Sequence, residues 1–344
     1  MKKLLKKRKA RQEPQGRITN ETVAEHRERI LAGGRKFKYP VQYTRHKLIF
    51  NTIIITSVVL VAFLGVAWWQ LYKAQTTNAF FYRTVRIVPV PVASVDGQWV
   101  RYGDYLTLYR PVEHFMRENG QLAQAPKDQE RQLNLYKRSV LDQAIANAYA
   151  EKIAGEKNIT VSEADVNEVV LKGRQASNGS ISQELYDASL TETLGFSREE
   201  YRQLIHQSLL YKKVVYAVDD KAKQTADTLK RQAKSDSDFS KLAAQLGGGS
   251  TAGSSGDYVQ TTTPDGGLAL AASKLQQGQL SDVITSTNSD GYYVVRLDGK
   301  RDGKVQYSYV KIPLTAFAST LKQLRKDGKV AEYISIPEVT AETK

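Results

Sequence analysis

Residues Leu48–Tyr72 read LIFNTIIITSVVLVAFLGVAWWQLY, a run of 25 residues without a charged side chain. As an α-helix with a rise of about 1.5 Å per residue, the run is about 37 Å long, which is enough to cross a hydrocarbon layer of about 30 Å with some tilt. Trp68, Trp69 and Tyr72 lie at its C-terminal end, as aromatic side chains do at a membrane interface. The sequence therefore predicts one membrane-spanning helix.

The positive charge of the chain is concentrated on the N-terminal side of this run. Residues 1–47 contain 15 Lys and Arg against 4 Asp and Glu, whereas the other 297 residues contain 35 and 32. Because basic flanks stay in the cytoplasm, the chain is predicted to be a single-pass protein of the cell membrane, with an extracytoplasmic C-terminal part. No nucleic-acid binding is expected of that nearly neutral part. The tail has the charge to contact anionic lipid or a cytoplasmic partner such as ribosomal RNA.

Two other interpretations of the apolar run fit less well. A cleaved signal peptide has a short basic region and a small-residue cleavage site, whereas here 47 residues precede the apolar core and the bulky WWQLY ends it. A buried helix of a soluble protein is disfavoured by the length and by the flanking charges. The chain has no cysteine, which excludes disulfides, a lipid anchor on cysteine and thiol catalysis.

Beyond the run, the pattern changes from helical to mixed. Apolar and polar residues alternate in VRIVPVPVASVDGQWVRY, on both sides of a turn at Asp96-Gly97. The prolines of this stretch predict an edge strand. Residues 103–217 have apolar residues at helical spacing, with Ser197 and Glu200 as a capping box. Short helices then alternate with antiparallel strands over about 100 residues. The predicted fold class is α+β, with a helical domain and a small domain that contains an antiparallel sheet.

These shifts divide the chain into six predicted segments. Within the fifth segment, the run GGGSTAGSSG has the composition of a flexible linker when it is taken alone. The segments are a basic cytoplasmic tail (1–47), the transmembrane helix (48–72), a stalk (73–85), the helical domain (86–217), the small domain (218–313), and a C-terminal helix with a frayed polar tail (314–344).

Two stretches resemble known extracytoplasmic folding factors. DFSKLAAQLGGGSTAGSSGDYVQ and the downstream ALAASKLQQGQLSDVITSTNSDGYYVVRLDG are similar to the parvulin-type (PpiC-like) peptidyl-prolyl isomerase domain. Upstream, ASVDGQWVRYGDYLTLYR and VLDQAIANAYAEKIAGEKNITVSEADVNEVV resemble the N-terminal chaperone domain of SurA-like and PrsA-like foldases. The resemblance covers about residues 86–312. The positions that match the parvulin pattern are Asp238, Phe239, Leu242, Ala243, Gly256, Asp257, Leu275, Gly278, Ser281, Gly291 and Tyr292.

The side chains that the resemblance implies for a proline pocket are missing. Parvulins place two histidines on adjacent central strands, beside a Cys or Asp, a Met and a Phe. This chain has Tyr293 at one histidine position and Leu268 at the Phe position. We hypothesise that residues 305–312 replace the family's first strand by pairing antiparallel with YYVVRL, a circular permutation that brings Tyr309 near Tyr293. The candidate site residues are Tyr293 and Tyr309 for catalysis, and Leu268, Tyr258 and Tyr292 for substrate binding.

Prolyl isomerisation needs an apolar pocket and groups that stabilise a twisted amide, but no nucleophile or metal. The two tyrosines either donate hydrogen bonds to such an amide or form a cross-strand aromatic pair that only stabilises the sheet. The four histidines lie far apart in the sequence, so no metal site is predicted, and no cofactor is expected.

The sequence thus predicts a membrane-tethered chaperone or foldase whose parvulin-like domain is weak or inactive as an isomerase. Its predicted partners are unfolded or nascent exported polypeptides, the lipid bilayer and the protein-export machinery. Two alternatives remain open, namely an active peptidyl-prolyl isomerase and a structural scaffold of the envelope or of the secretion machinery.

Overall fold

A computed structural model describes residues 19–38, 40–176 and 179–337, and this part of the chain is mixed α+β, as predicted. Its helices are α1 (Asn20–Lys38), α2 (Pro40–Tyr72), α3 (Ala79–Ile87), α4 (Tyr102–Glu118), α5 (Pro126–Lys157), α6 (Glu163–Gly173), α7 (Gln183–Leu194), α8 (Arg198–Ala217), α9 (Asp220–Gln232), α10 (Phe239–Leu246), α11 (Leu268–Ala272) and α12 (Ala316–Lys326). Its strands are β1 (Pro91–Val95), β2 (Gln98–Arg101), β3 (Gln175–Ala176), β4 (Gly179–Ser180), β5 (Thr251–Ser254), β6 (Val259–Gln260), β7 (Ile284–Thr285), β8 (Gly291–Arg301), β9 (Lys304–Pro313) and β10 (Val330–Glu332).

The chain divides into two compact units, the first of which ends at Trp69. Its described residues form α1 and the greater part of α2. The stretch His46–Tyr72 is 27 residues long and apolar enough to cross a membrane. By length and composition, it is a candidate for the spanning helix that the sequence predicts.

The second unit begins at Gln70 and contains a helical domain, formed by residues 70–217 together with 314–337. The three-stranded sheet β10-β1-β2 packs against α4 and α5. Three tyrosines at helical spacing on α4 are buried in this core, where Leu141 and Ile145 of α5 are also buried. These tyrosines are Tyr102, Tyr105 and Tyr109.

The segment predicted as a stalk contributes to this core instead. Asn78 caps α3 by accepting a hydrogen bond from the Phe81 amide. On the same helix, Tyr82 and Val85 are buried, and the Tyr82 hydroxyl donates to Glu200 at 2.7 Å. The prediction was wrong for these residues because a helix with only two buried positions gives too short a pattern to be read from the sequence.

Two further predictions about the helical domain were wrong. Strand β1 lies between β2 and β10, so it is a central strand and not an edge strand. Pro91 is tolerated there because it is the first residue of β1, whereas β10 pairs only with residues 93–95. The tail predicted to be frayed forms β10 and then buries Ile334 and Ile336.

The helix-capping prediction is confirmed. The Ser197 hydroxyl accepts from the Glu200 amide, and the Glu200 carboxylate accepts from the Ser197 amide. This buried carboxylate also accepts from Arg86 at 2.9 Å. The capping box thereby ties the start of α8 to α3.

Residues 220–313 form a sheet module with strand order β5-β9-β8-β7, and β6 also pairs with β9. The predicted ladder is confirmed, since β8 and β9 pair antiparallel from Tyr292↔Ile312 to Leu297↔Tyr307 and beyond. Only Val218 and Asp219 separate α8 from α9, so no strand precedes α9 at this point of the described chain. Strand β9 fills the position between β8 and β5.

The glycine-rich run at 247–256 contains a strand, so the linker interpretation was wrong for part of it. Residues 251–254 form β5, which pairs with β9 in the register Thr251↔Lys311 to Ser254↔Ser308. Pairing with a central strand overrides the low strand propensity of glycine and serine.

One buried carboxylate joins the helical domain to the sheet module. Asp219 is 2% exposed. Its Oδ1 accepts from the Ala222 amide at the start of α9, and its Oδ2 accepts from the amides of Thr315 and Ala316 at the start of α12, at 2.6 and 2.9 Å. The side chain thus caps the helix that enters the module and the helix that leaves it.

Candidate functional site

The face of β8 and β9 that α11 covers brings together four of the residues discussed above. Side chains alternate along a strand, so Tyr293 on β8 and Tyr307 and Tyr309 on β9 share this face. The rings of Tyr293 and Tyr309 are 5.6 Å apart, edge to face. Leu268 of α11 packs against them. We call Leu268, Tyr293, Tyr307 and Tyr309 the tyrosine face.

The Tyr293 hydroxyl is held by an ion pair beside it. It donates to Asp290 Oδ2 at 2.7 Å, and Lys311 Nζ donates to the same oxygen at 2.7 Å. Burial and the hydrogen bond to Asp290 raise the pKa of Tyr293, so its hydroxyl stays protonated at neutral pH. Burial disfavours the Asp290 carboxylate, but the hydrogen bonds from Lys311 and Tyr293 outweigh it and lower the pKa of Asp290.

The Tyr307 hydroxyl is held in a similar way by the start of α11. It donates to Asp265 Oδ2 at 2.6 Å. The same carboxylate accepts from the amides of Gly267, Leu268 and Ala269. Asp265 therefore fixes α11, and with it Leu268, over the sheet.

Gly253 explains how the ring of Tyr309 lies on the sheet. Gly253 is the direct partner of Tyr309 in the β5–β9 ladder. A Cβ atom at residue 253 would lie 2.6 Å from Cζ of Tyr309, so the aromatic ring lies across the space that the glycine leaves. This packing of an aromatic residue over a glycine stabilises the strand pair and covers the sheet.

The other two candidate substrate-binding residues lie elsewhere. Tyr292 follows the alternation to the opposite face of β8, where it is buried and packs on Tyr216 with 5.1 Å between ring centroids. Tyr258 lies beside Gly299, and Arg301 stacks over its ring. Tyr292 therefore does not share the tyrosine face, and Tyr258 lies near the other end of β8.

Comparison with known families gives two matches. The model of the SurA-like N-terminal domain matches residues 42–215, which is half of the chain, and the model of the PPIC-type PPIASE domain matches residues 198–307. The chain belongs to the SurA/PrsA-like foldases. This chaperone family carries a parvulin-type domain, and its members bind unfolded polypeptide substrates. No match was found among curated proteins or among solved structures.

In this SurA-like foldase, family positions that the sequence resemblance singled out have structural roles. Asp238 caps α10 through the amides of Ser240 and Lys241. The ring of Phe239 is buried beneath Arg296. The parvulin match ends at residue 307, so Tyr309 lies beyond it. Among the described residues, no three His, Cys, Asp or Glu side chains are grouped as a metal site requires.

Sequence reasoning missed the partners of the tyrosines in this foldase. Asp290 and Asp265 both lie in turn segments, STNSDG and TPDGG, where an acidic residue is ordinary. Strand alternation places Lys311 on the same face as Tyr309, but it does not indicate that Asp290 is its partner. The only available signal was that Asp290 immediately precedes the strand that carries Tyr293.

Proposed function

We propose that this protein is a membrane-tethered, extracytoplasmic chaperone that binds unfolded exported polypeptides, and that its parvulin-type domain is weak or inactive as an isomerase. The single observation that supports weak or absent isomerase activity is the burial of Tyr293 and Leu268 on the tyrosine face. Tyr293 is 6% exposed and Leu268 is 3% exposed. A proline ring would have to displace these side chains before it could pack against Tyr293.

The hydrogen bonds of the tyrosine face support the same proposal. A tyrosine can stabilise a twisted prolyl amide only if its hydroxyl is free to donate to the substrate. The hydroxyls of Tyr293 and Tyr307 already donate to carboxylates, which are strong acceptors. If either hydroxyl donated to a substrate instead, the carboxylate of Asp290 or Asp265 would lose a hydrogen-bond donor.

The tethered topology is supported by the span candidate and by the charge beside it. Residues 1–47 carry a net charge of +11, which favours a cytoplasmic tail. Tethering would raise the concentration of the chaperone near the site of export, where the bilayer and the export machinery are its proposed neighbours. For the exported part we keep the domain boundaries 86–217 and 218–313, with residues 73–85 and 314–337 packed on the first domain.

One observation favours an active isomerase as a second candidate. The ring centroids of Tyr309 and Tyr293 are 5.6 Å apart, and Tyr293 occupies a position where the parvulin resemblance implies a histidine. Tyr309 is a partly exposed residue, and its hydroxyl has no hydrogen-bond partner among the described residues. It is therefore the one donor of the tyrosine face that is free for a substrate.

The test uses the full chain in lipid nanodiscs. We expect it to suppress the aggregation of a denatured client protein, and to accelerate prolyl isomerisation of a model peptide no faster than empty nanodiscs do. An isomerisation rate above that background, abolished by Tyr309→Phe, would establish the second candidate. Failure to suppress aggregation would instead favour a scaffolding protein.

A further inference from the structure

A groove runs between α6 and α8 of the helical domain, and the loop between β7 and β8 reaches it through Thr287. Its volume is about 540 Å³, within the range of about 300–1,000 Å³ that is typical of ligand-binding pockets. Val169, Leu204 and Leu209 form apolar parts of its wall. We call this cavity the α6–α8 groove.

The rim of the α6–α8 groove carries one more basic residue than acidic residues, and the extra one is Lys212. Lys213 pairs with Asp165 at 2.8 Å, and Lys172 pairs with Glu168 at 2.6 Å. No acidic partner of Lys212 lies within ion-pair distance among the described residues. The amine is half-buried, and burial together with repulsion from Lys172 lowers the pKa of Lys212.

An apolar wall beside an unpaired amine has a definite ligand preference. Binding of a leucine-sized side chain against Val169, Leu204 and Leu209 is favourable because it removes apolar surface from water. A carboxylate would supply the counter-charge that Lys212 lacks, and a partly desolvated pair is stronger than an exposed one. A segment with two or more basic residues would be repelled by the same rim.

We propose that the α6–α8 groove binds extended polypeptide segments in which an acidic residue lies next to apolar residues, with Lys212 as the group that selects the acid. This assignment rests on the proposed chaperone function and names its preferred client sequence. The site lies in the helical domain and does not use the tyrosine face.

The experiment compares two fluorescein-labelled peptides on the full chain in nanodiscs. One peptide carries leucines around a single glutamate, and the other has glutamine in its place. Fluorescence anisotropy is expected to show about fivefold tighter binding of the glutamate peptide, as one half-buried charge-assisted contact predicts. In Lys212→Met this preference is expected to fall to about one.

Two variants separate selection from other effects. Lys223→Met removes the same charge from an exposed position of α9 and should keep the fivefold preference. Ser208→Trp fills the groove from an exposed position of its lining and should weaken both peptides. Equal binding of the two peptides by the unaltered chain would overturn the proposal, as would a preference that persists in Lys212→Met.

Failure of this proposal can be told from failure of the chaperone function. If neither peptide binds but the chain still suppresses aggregation, the assignment of the groove is wrong and the proposed function stands. If the chain neither binds peptide nor suppresses aggregation, both are wrong.

Discussion

The tyrosine face and the α6–α8 groove differ in how their polar groups are satisfied. On the tyrosine face, the hydroxyls of Tyr293 and Tyr307 both donate to carboxylates, and Lys311 beside the face binds one of these carboxylates. The hydroxyl of Tyr309, which has no partner among the described residues, is the exception on this face. In the groove, Lys212 has no such partner among the described residues, and the apolar wall is only partly covered. A polar group that is already paired gains little from a ligand, whereas an unpaired group gains a full interaction.

Under the proposed function, this difference indicates where client binding can remain when the parvulin-type domain is inactive. Leu268 and Tyr293, at positions where the resemblance implies pocket side chains, lie in one small hydrophobic core. Under that proposal these positions serve the fold and do not bind a proline. Client binding is then expected from the helical domain, on which the family match is most extensive.

The largest expected effect concerns Asp219, which joins the two regions that the comparison contrasts. In Asp219→Ala, the amides of Thr315 and Ala316 and the start of α9 lose their acceptor at a buried position. We expect the free energy of unfolding to fall by about 3 kcal/mol, since each lost cap costs about 1 kcal/mol and the orphaned amides add to this. Urea titration of the full chain in detergent micelles, followed by tryptophan fluorescence, measures it.

The neighbouring Asp220 provides a matched control. It is exposed in the first turn of α9, so Asp220→Ala loses only a favourable contact with the helix dipole, about 0.5 kcal/mol. If Asp219→Ala and Asp220→Ala proved equally mild, the double cap would not hold the helical domain and the sheet module together.

The next effect tests whether the tyrosine face is sealed. Gly253→Ala places a Cβ atom against the ring of Tyr309, and such overpacking is expected to cost about 2 kcal/mol of unfolding free energy. In a Tyr309→Ala background the same substitution meets no ring. It should then stabilise by about 0.5 kcal/mol, because alanine restricts the unfolded chain more than glycine does. A double-mutant cycle by urea titration measures the difference.

The cycle also has a clear negative outcome. If Gly253→Ala were harmless with Tyr309 in place, the ring would lie away from the sheet. The tyrosine face would then be open enough to accept a proline, and the isomerase candidate would gain support.

Local sequence patterns predicted much of this structure. The Ser197–Glu200 capping box and the β8–β9 ladder each depend on residues close in the chain or on simple alternation, and both are confirmed. Alternation also predicted that Tyr293 and Tyr309 lie close together. The candidate site could be located to this extent without a structure.

Contacts between distant segments could not be predicted. Asp219 caps a helix that begins 97 residues later in the chain, and nothing in VVYAVDD distinguishes it from a loop residue. Strand β10 is only three residues long and depends on β1 for its pairing. The sequence does not show that Lys213 has an acidic partner and that Lys212 has none among the described residues, because that difference depends on how α6 and α8 pack together.

The smallest expected effect is the pH dependence carried by Asp290. Its pKa is lowered in the folded protein, so the ionised carboxylate stabilises the fold above the unfolded pKa of about 3.9. This stabilisation is lost as the pH falls through the lower folded pKa. The side chain is 35% exposed and therefore screened by solvent, so this stabilisation is less than about 1 kcal/mol.

Between pH 7 and pH 3, Asp290→Asn should lose less unfolding free energy than the unaltered chain. Asp302→Asn, in a turn where the carboxylate is 89% exposed, should follow the unaltered chain. Equal pH slopes in all three proteins would mean that Asp290 does not hold Lys311 and Tyr293 in solution, and the contrast between the paired hydroxyl of Tyr293 and the unpaired amine of Lys212 would then be weaker than the geometry indicates.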